Sequence, residues 1–284
     1  MSEIKIALVY FSATDVTHTY VKIMQDRLLK SGCVVQELNV TAYSSRQSPP
    51  ALDDCNGVIF GFPVFSDFAP SVINEWLPTL DGKGKKCAMF FTYGGRTSGY
   101  AHFHTKLLLE QAHFSVLFSA EFLGRHSFNV GGWRILPERP DAQDFAVARE
   151  YAVLASERFS QEAPPILRLQ KPFGYNQAIA SLASNQPITE RSWKNPVRIV
   201  AECCMCRDCE TKCPAQAFDA DTGLSNPSTC ICCMHCVYVC PDKVIKVDAM
   251  KAVYGAFLSN WHLTEAMMNV KQSRIITESW QAAS

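Results

Sequence analysis

Two copies of one cysteine spacing constrain this 284-residue chain more than any other feature. Cys203-x2-Cys206-x2-Cys209-x3-Cys213-Pro214 is followed by Cys230-x2-Cys233-x2-Cys236-x3-Cys240-Pro241. Two-residue gaps let consecutive thiolates turn around the corners of one metal centre, and the proline after each fourth cysteine turns the chain away from it. Runs of this kind wrap iron–sulfur cubes. Tetrahedral zinc is the competing chemistry for the same donors. A disulfide framework fits less well. The opening MSEIKIALVYF puts an acid before a short apolar strand and has no charged n-region with a cleavage site. Thiol richness of this kind is expected of a reducing cytoplasm.

Other cysteines have a plainer reading. Cys33, Cys55 and Cys87 fall in or beside predicted strands, where a buried thiol packs as a small apolar group. Cys204 and Cys232 sit beside the runs but outside their spacing and are expected to be spectators. Lys plus Arg equals Asp plus Glu at 27 each, so charge makes no case for nucleic acid or an anionic membrane. No apolar stretch approaches the length of a membrane span.

The first 160 residues alternate strand and helix patterns, which predicts an α/β unit with a parallel sheet. Strands are predicted over 4–10, 33–40, 57–62, 88–92 and 115–122, and helices over 15–30, 70–77, 99–112 and 141–159. Residues 57–62, GVIFGF, are apolar on both faces, as a central strand requires. Five strands with these helices predict a doubly wound sheet in the order 2-1-3-4-5, its ligand at the carboxyl ends of the first and third strands. Prolines at 164, 165, 172, 187 and 196 make 161–197 an extended connector. Residues 198–247 hold the cysteine runs. Residues 248–284 are read as a helical tail containing Trp261 and Trp280, expected to pack on the first unit or on a second copy as a homodimer.

Strand one runs into Ser12-Ala13-Thr14-Asp15-Val16-Thr17, where three hydroxyls lead to a helix N-terminus whose free N–H groups favour an anion. Flavodoxins resemble this, with a Ser/Thr-x-Thr-Gly-x-Thr loop holding the phosphate of FMN. Asp15 stands where that pattern has glycine, adding a negative charge and an acceptor able to cap the helix itself. Strand three ends in Phe62-Pro63-Val64-Phe65, and strand four in Thr92-Tyr93-Gly94-Gly95-Arg96. In flavodoxins these two loops sandwich the isoalloxazine ring. By that resemblance Phe65 and Tyr93 stack on it, Gly94 and Gly95 bring backbone donors to its edge, and Arg96 stabilises the anionic reduced form. His126 is a candidate proton donor to the flavin or a bound substrate; its plainer reading is a buried histidine tying its loop to backbone carbonyls. Arg125 is expected to neutralise phosphate or pair with Asp141, and His102 and His104 to lie at the surface. No Ser/His/Asp series or carboxylate pair supports hydrolysis.

GFPVF at 61–65, TYGGR at 92–96, GRHSF at 124–128, RPDAQD at 139–144 and both cysteine runs resemble the fused flavodoxin–ferredoxin proteins of anaerobes, the EFR-type ferredoxins, over nearly the whole chain. That resemblance implies a flavodoxin-like FMN domain over 1–160 and a bacterial-type α+β ferredoxin domain over 198–247 with two [4Fe–4S] clusters. In bacterial two-cluster ferredoxins the fourth ligand comes from the other run. The resemblance therefore assigns Cys203, Cys206, Cys209 and Cys240 to one cluster, and Cys230, Cys233, Cys236 and Cys213 to the other. The implied function is cytoplasmic transfer of low-potential single electrons between the clusters and FMN, with redox proteins as partners. Two alternatives stay open: a reductase acting on a small organic or corrinoid substrate at the FMN, and a non-catalytic redox sensor whose only sequence support is Asp15.

Overall fold

The computed structural model describes residues 3–183, 195–199, 202–247 and 250–277. Alternating strands and helices build the first unit: β1 (Lys5–Tyr10), α1 (Val16–Lys30), β2 (Val34–Asn39), β3 (Gly57–Pro63), α2 (Ser71–Trp76), β4 (Lys86–Tyr93), α3 (Ala101–Gln111), β5 (Ser115–Leu123) and α4 (Ala142–Ser160). Period-two alternation sends neighbouring residues of β1 to opposite faces. Ile6, Leu8 and Tyr10 pack with Tyr20 and Met24 of α1 and Tyr151 of α4. Ala7 and Val9 join Ile73 and Trp76 of α2 and Leu109 of α3. Both faces are thereby covered, as a parallel sheet requires. The parallel strands run β2-β1-β3-β4-β5, a flavodoxin-like α/β arrangement.

The expected connector is not extended throughout. It contains α5 (Tyr175–Ala183), a proline-free stretch that Tyr175 anchors. The Tyr175 hydroxyl lies 2.8 Å from Nδ1 of His104, and its ring meets Phe103 edge-on at 4.9 Å. That contact also corrects the placement of two histidines. His104 is buried, and His102 is fully buried with Nδ1 2.7 Å from the Ser119 hydroxyl.

The cysteine unit consists of β6 (Val197–Arg198), α6 (Asp208–Thr211), β7 (Phe218–Asp219), β8 (Leu224–Ser225), α7 (His235–Val239) and β9 (Ile245–Lys246). The duplicated spacing is a duplicated backbone. Met205, Arg207 and Gln216 have φ of 54°, 61° and 50°, and their counterparts in the second run, Cys232, Met234 and Lys243, have 51°, 64° and 56°.

The tail departs from the expectation of helix alone. It forms α8 (Met250–Asn260), α9 (Glu265–Asn269) and then β10 (Arg274–Ile276), which pairs antiparallel with β5 and makes the sheet six-stranded rather than five-stranded. A strand of three residues carries too short a pattern to be read from sequence. The pairing caps an edge that would otherwise expose unpaired backbone, and Nε of Arg274 donates to Glu121 at 2.8 Å. Trp280 lies outside the described residues. Among the described residues no helix is long and apolar enough to cross a membrane.

Candidate functional site

The turn from β1 into α1 is shaped by Asp15. Its φ of 69° is left-handed, the conformation that favours glycine. Asp15 does not cap α1 with its side chain, contrary to the expectation from sequence. Its carboxylate lies 2.8 Å from Nδ1 of His18, whose ring stacks on Tyr10. The negative charge is thus held outside the loop. Ser12 Oγ accepts from the His18 N–H at 3.1 Å, which leaves the Ser12 O–H available as a donor. The hydroxyls of Thr17 and Thr92 pair at 2.8 Å. In such a pair one hydrogen remains free to donate.

These groups open onto a cavity of about 630 Å³ at the carboxyl ends of β1, β3 and β4, a volume typical of cofactor sites. Ser12, Thr14 and Thr17 line it from the first loop, Pro63 and Phe65 from the second, and Thr92, Tyr93, Gly94 and Arg96 from the third. Gly95 stands behind the wall. At φ 81° it makes the turn, and a Cβ there would lie 3.0 Å from Leu136 and from Met268. Phe65 is held edge-on by Phe11 at 6.3 Å, in a loop orientation suited to a planar ligand. Tyr93 is nearly fully buried, part of the cluster containing Leu123 and Trp133, and so forms wall more than a free stacking face. Arg96 pairs with Asp67 and lies under the Trp261 ring at 4.2 Å, so much of its charge is already answered.

His126 lines the same cavity, half-buried between Phe128, Trp133 and Gly94. Its Nδ1 accepts from the Phe128 N–H at 3.1 Å rather than bonding a carbonyl. Burial, aided by Arg96, pushes its pKa down to about 4. At neutral pH the ring is therefore neutral, with its hydrogen on Nε2. It can donate a hydrogen bond, but it does not carry the ready proton of an imidazolium. Arg125 also lines the cavity, while Asp141 pairs with Arg139 at 2.7 Å instead.

The C-terminal tail, expected to pack on the first unit, supplies the far wall. Val253, Ala256, Phe257 and Asn260 of α8, with Trp261 beyond it, face the cavity. Their spacing of three and four residues is the signal that marks one helix face. Trp133 fastens this helix: its Nε1 donates to the Met250 carbonyl at 2.8 Å, and its ring packs 4.9 Å from Phe257.

The cysteine unit supplies the remaining wall through Ile231 and Cys232. Behind Ile231 lies a small cavity lined by Cys213, Cys230, Cys233 and Cys236. Behind Phe218, which the two share, lies another lined by Cys203, Cys206, Cys209 and Cys240. Each cavity therefore takes three cysteines from one run and the fourth from the other. Among the described residues no three His, Cys, Asp or Glu side chains group closely enough to hold a single ion. Burial pushes the Cys209 thiol up to about 11 and the Cys233 thiol up to about 12. Ligation by a metal would be needed to hold such thiols as thiolates. Of the two spectators, Cys204 is exposed, while Cys232 is buried with its thiol 3.5 Å from Asn195.

Cys233 and Ile231 pack in the core of the sheet unit, and side-chain hydrogen bonds also reach across. His235, between two cysteines of the second run, has Nδ1 2.7 Å from the carbonyl of Ala13 in the β1–α1 loop. Arg46 donates to the carbonyl of Pro214.

No protein-family model matches this chain, and no curated protein matches it. Among solved structures, it is similar to the Flv1 flavodiiron core from Synechocystis sp. PCC6803, at 22% identity and a TM-score of 0.42 over 55% of this chain and 36% of that one. A flavodoxin from the domain Archaea is similar at 15% identity and a TM-score of 0.41, over 56% of this chain and 100% of that one. Rubredoxin oxygen:oxidoreductase from the anaerobe Desulfovibrio gigas is similar at 15% identity and a TM-score of 0.42, over 55% of this chain and 36% of that one.

Proposed function

We propose that this chain is a cytoplasmic iron–sulfur flavoprotein that moves single electrons between two [4Fe–4S] clusters and FMN. One observation carries the reading: three cavities lie in series, the two cysteine cavities sharing Phe218 and the inner one sharing Ile231 with the large cavity. When bound, clusters exchange electrons one at a time and FMN one or two at a time, so the series can join a one-electron supply to a two-electron demand. Ser12, Thr14 and Thr17 would hold the FMN phosphate at the α1 N-terminus, with Phe65 beside the ring and Gly94 at its edge. Asp15 is turned away on His18 and does not compete. The inner cluster would be held by Cys213, Cys230, Cys233 and Cys236, and the outer by Cys203, Cys206, Cys209 and Cys240. Cys206 is exposed, which favours the outer cavity as the point of exchange with a donor protein.

A second reading has its own support. The α8 wall borders the large cavity with Phe257, Trp261 and neutral His126, which suits a small substrate bound over the flavin and reduced there. Full-length protein purified without oxygen tests both. About eight irons with matching sulfide and one FMN per chain are expected. Eight irons without flavin would end both readings. If a small acceptor reoxidises the reduced protein with saturable kinetics that Phe257→Ala weakens, the reductase reading gains; a rate linear in acceptor and indifferent to Phe257 leaves the carrier.

A further inference from the structure

Arg46 closes the short helical turn Tyr43–Arg46 that follows β2, and its side chain is buried at 9% exposure. Nη1 donates to the carbonyls of Val40 at 2.6 Å, Thr41 at 2.8 Å and Ala42 at 3.1 Å. Nη2 donates to the carbonyl of Pro214 in the other unit. All four acceptors are neutral, so none of them cancels the charge. A buried cation without an anion is costly, and arginine does not shed its proton to escape that cost.

Besides the exposed Glu75 of its own unit, the anionic groups near it lie across the unit boundary. Pro214 and Cys213 line the inner cysteine cavity with Cys230, Cys233 and Cys236. Burial lowers the affinity of Arg46 for its proton; Tyr43, Glu75, Cys213 and Cys233 act against that. A cubane held by four thiolates is negatively charged and gains one more negative charge on reduction. In a poorly screened interior, a fixed cation beside it favours the reduced form.

We propose that Arg46 is a positioning residue that raises the reduction potential of the centre held by Cys213, Cys230, Cys233 and Cys236 and leaves the outer centre untouched. The proposal rests on the cluster reading above. Its consequence is directional: an electron entering at the exposed outer centre is drawn to the inner one, beside the large cavity.

The test is an EPR-monitored redox titration of the full chain, with iron and sulfide counted first. Arg46→Gln keeps an N–H for the Pro214 carbonyl but removes the charge. One of the two potentials is expected to fall by about a tenfold change in the reduction equilibrium, about 59 mV for one electron, with the other unmoved. Two unmoved potentials, or two equal shifts, overturn the proposal. Should the Gln variant load no iron, Arg46→Lys decides: its shorter cation withdraws charge from Pro214, so a smaller fall confined to one centre is expected, and no change overturns the proposal. Absence of iron–sulfur signals from the unaltered chain would instead overturn the reading beneath it.

Discussion

At the scale of single residues, backbone angle decides what a side chain can do. Asp15 sits at φ 69°, and that angle sends its carboxylate to His18 instead of into the cavity. Sequence shows that a glycine position holds an acid; only the geometry shows where the acid points. Asp15→Gly relieves left-handed strain of about 1 kcal/mol. It loses a half-exposed pair worth a few tenths of that. A small gain in stability is expected by thermal melting, with FMN affinity within about threefold of the original. A tenfold tighter FMN in calorimetry would place the carboxylate in the site after all. His126 teaches the same point. Its place in GRHSF marks it for the ligand edge, but its neutrality follows from burial and Arg96, which no local pattern contains.

At the scale of elements, α8 is the part that adds a far wall to the crevice at the strand ends. Its apolar face at 253, 256 and 257 is legible in the sequence, but not what that face covers. The docking depends on Trp133, whose Nε1 donates to the Met250 carbonyl. Trp133→Phe removes that donor and one hydrogen bond from the helix start, a loss of about 0.5–1.5 kcal/mol. Because α8 stands apart from the sheet, the loss is expected locally. Amides over 250–260 should exchange with solvent about tenfold faster, while β1, β3 and β4 keep their protection. Equal acceleration throughout would show that α8 and the sheet open as one unit.

At the scale of the whole molecule, two units of unequal self-sufficiency share one site. Both faces of the parallel sheet are buried, a core able to stand by itself. The cysteine unit buries little beyond Ala217, Phe218, Met234, Val244, Ile245 and its cysteines. A core of that size is small to stand by itself, and under the cluster reading bound metal would supply the rest. Stripping iron with a chelator under reducing conditions is therefore expected to melt residues 202–247 and spare the sheet. Calorimetry should show one transition vanish and one persist. A single transition indifferent to iron would refute the division and count against the clusters.

The sequence by itself determined the order of strands and helices in the first unit, since period-two and helical spacing are local properties of a chain. It also determined the two cysteine runs, because spacing along the chain is covalent. Nine of the ten residues expected at the flavin line the cavity; Gly95 instead supplies the turn behind it. Tertiary structure alone decided the rest. Ile231, Phe257 and Arg46 lie far from the loops they meet, and a contact across such a separation leaves no local pattern. So did the series of cavities from Cys206 to Ser12, for adjacency in space is fixed by how two units pack, not by the spacing within either.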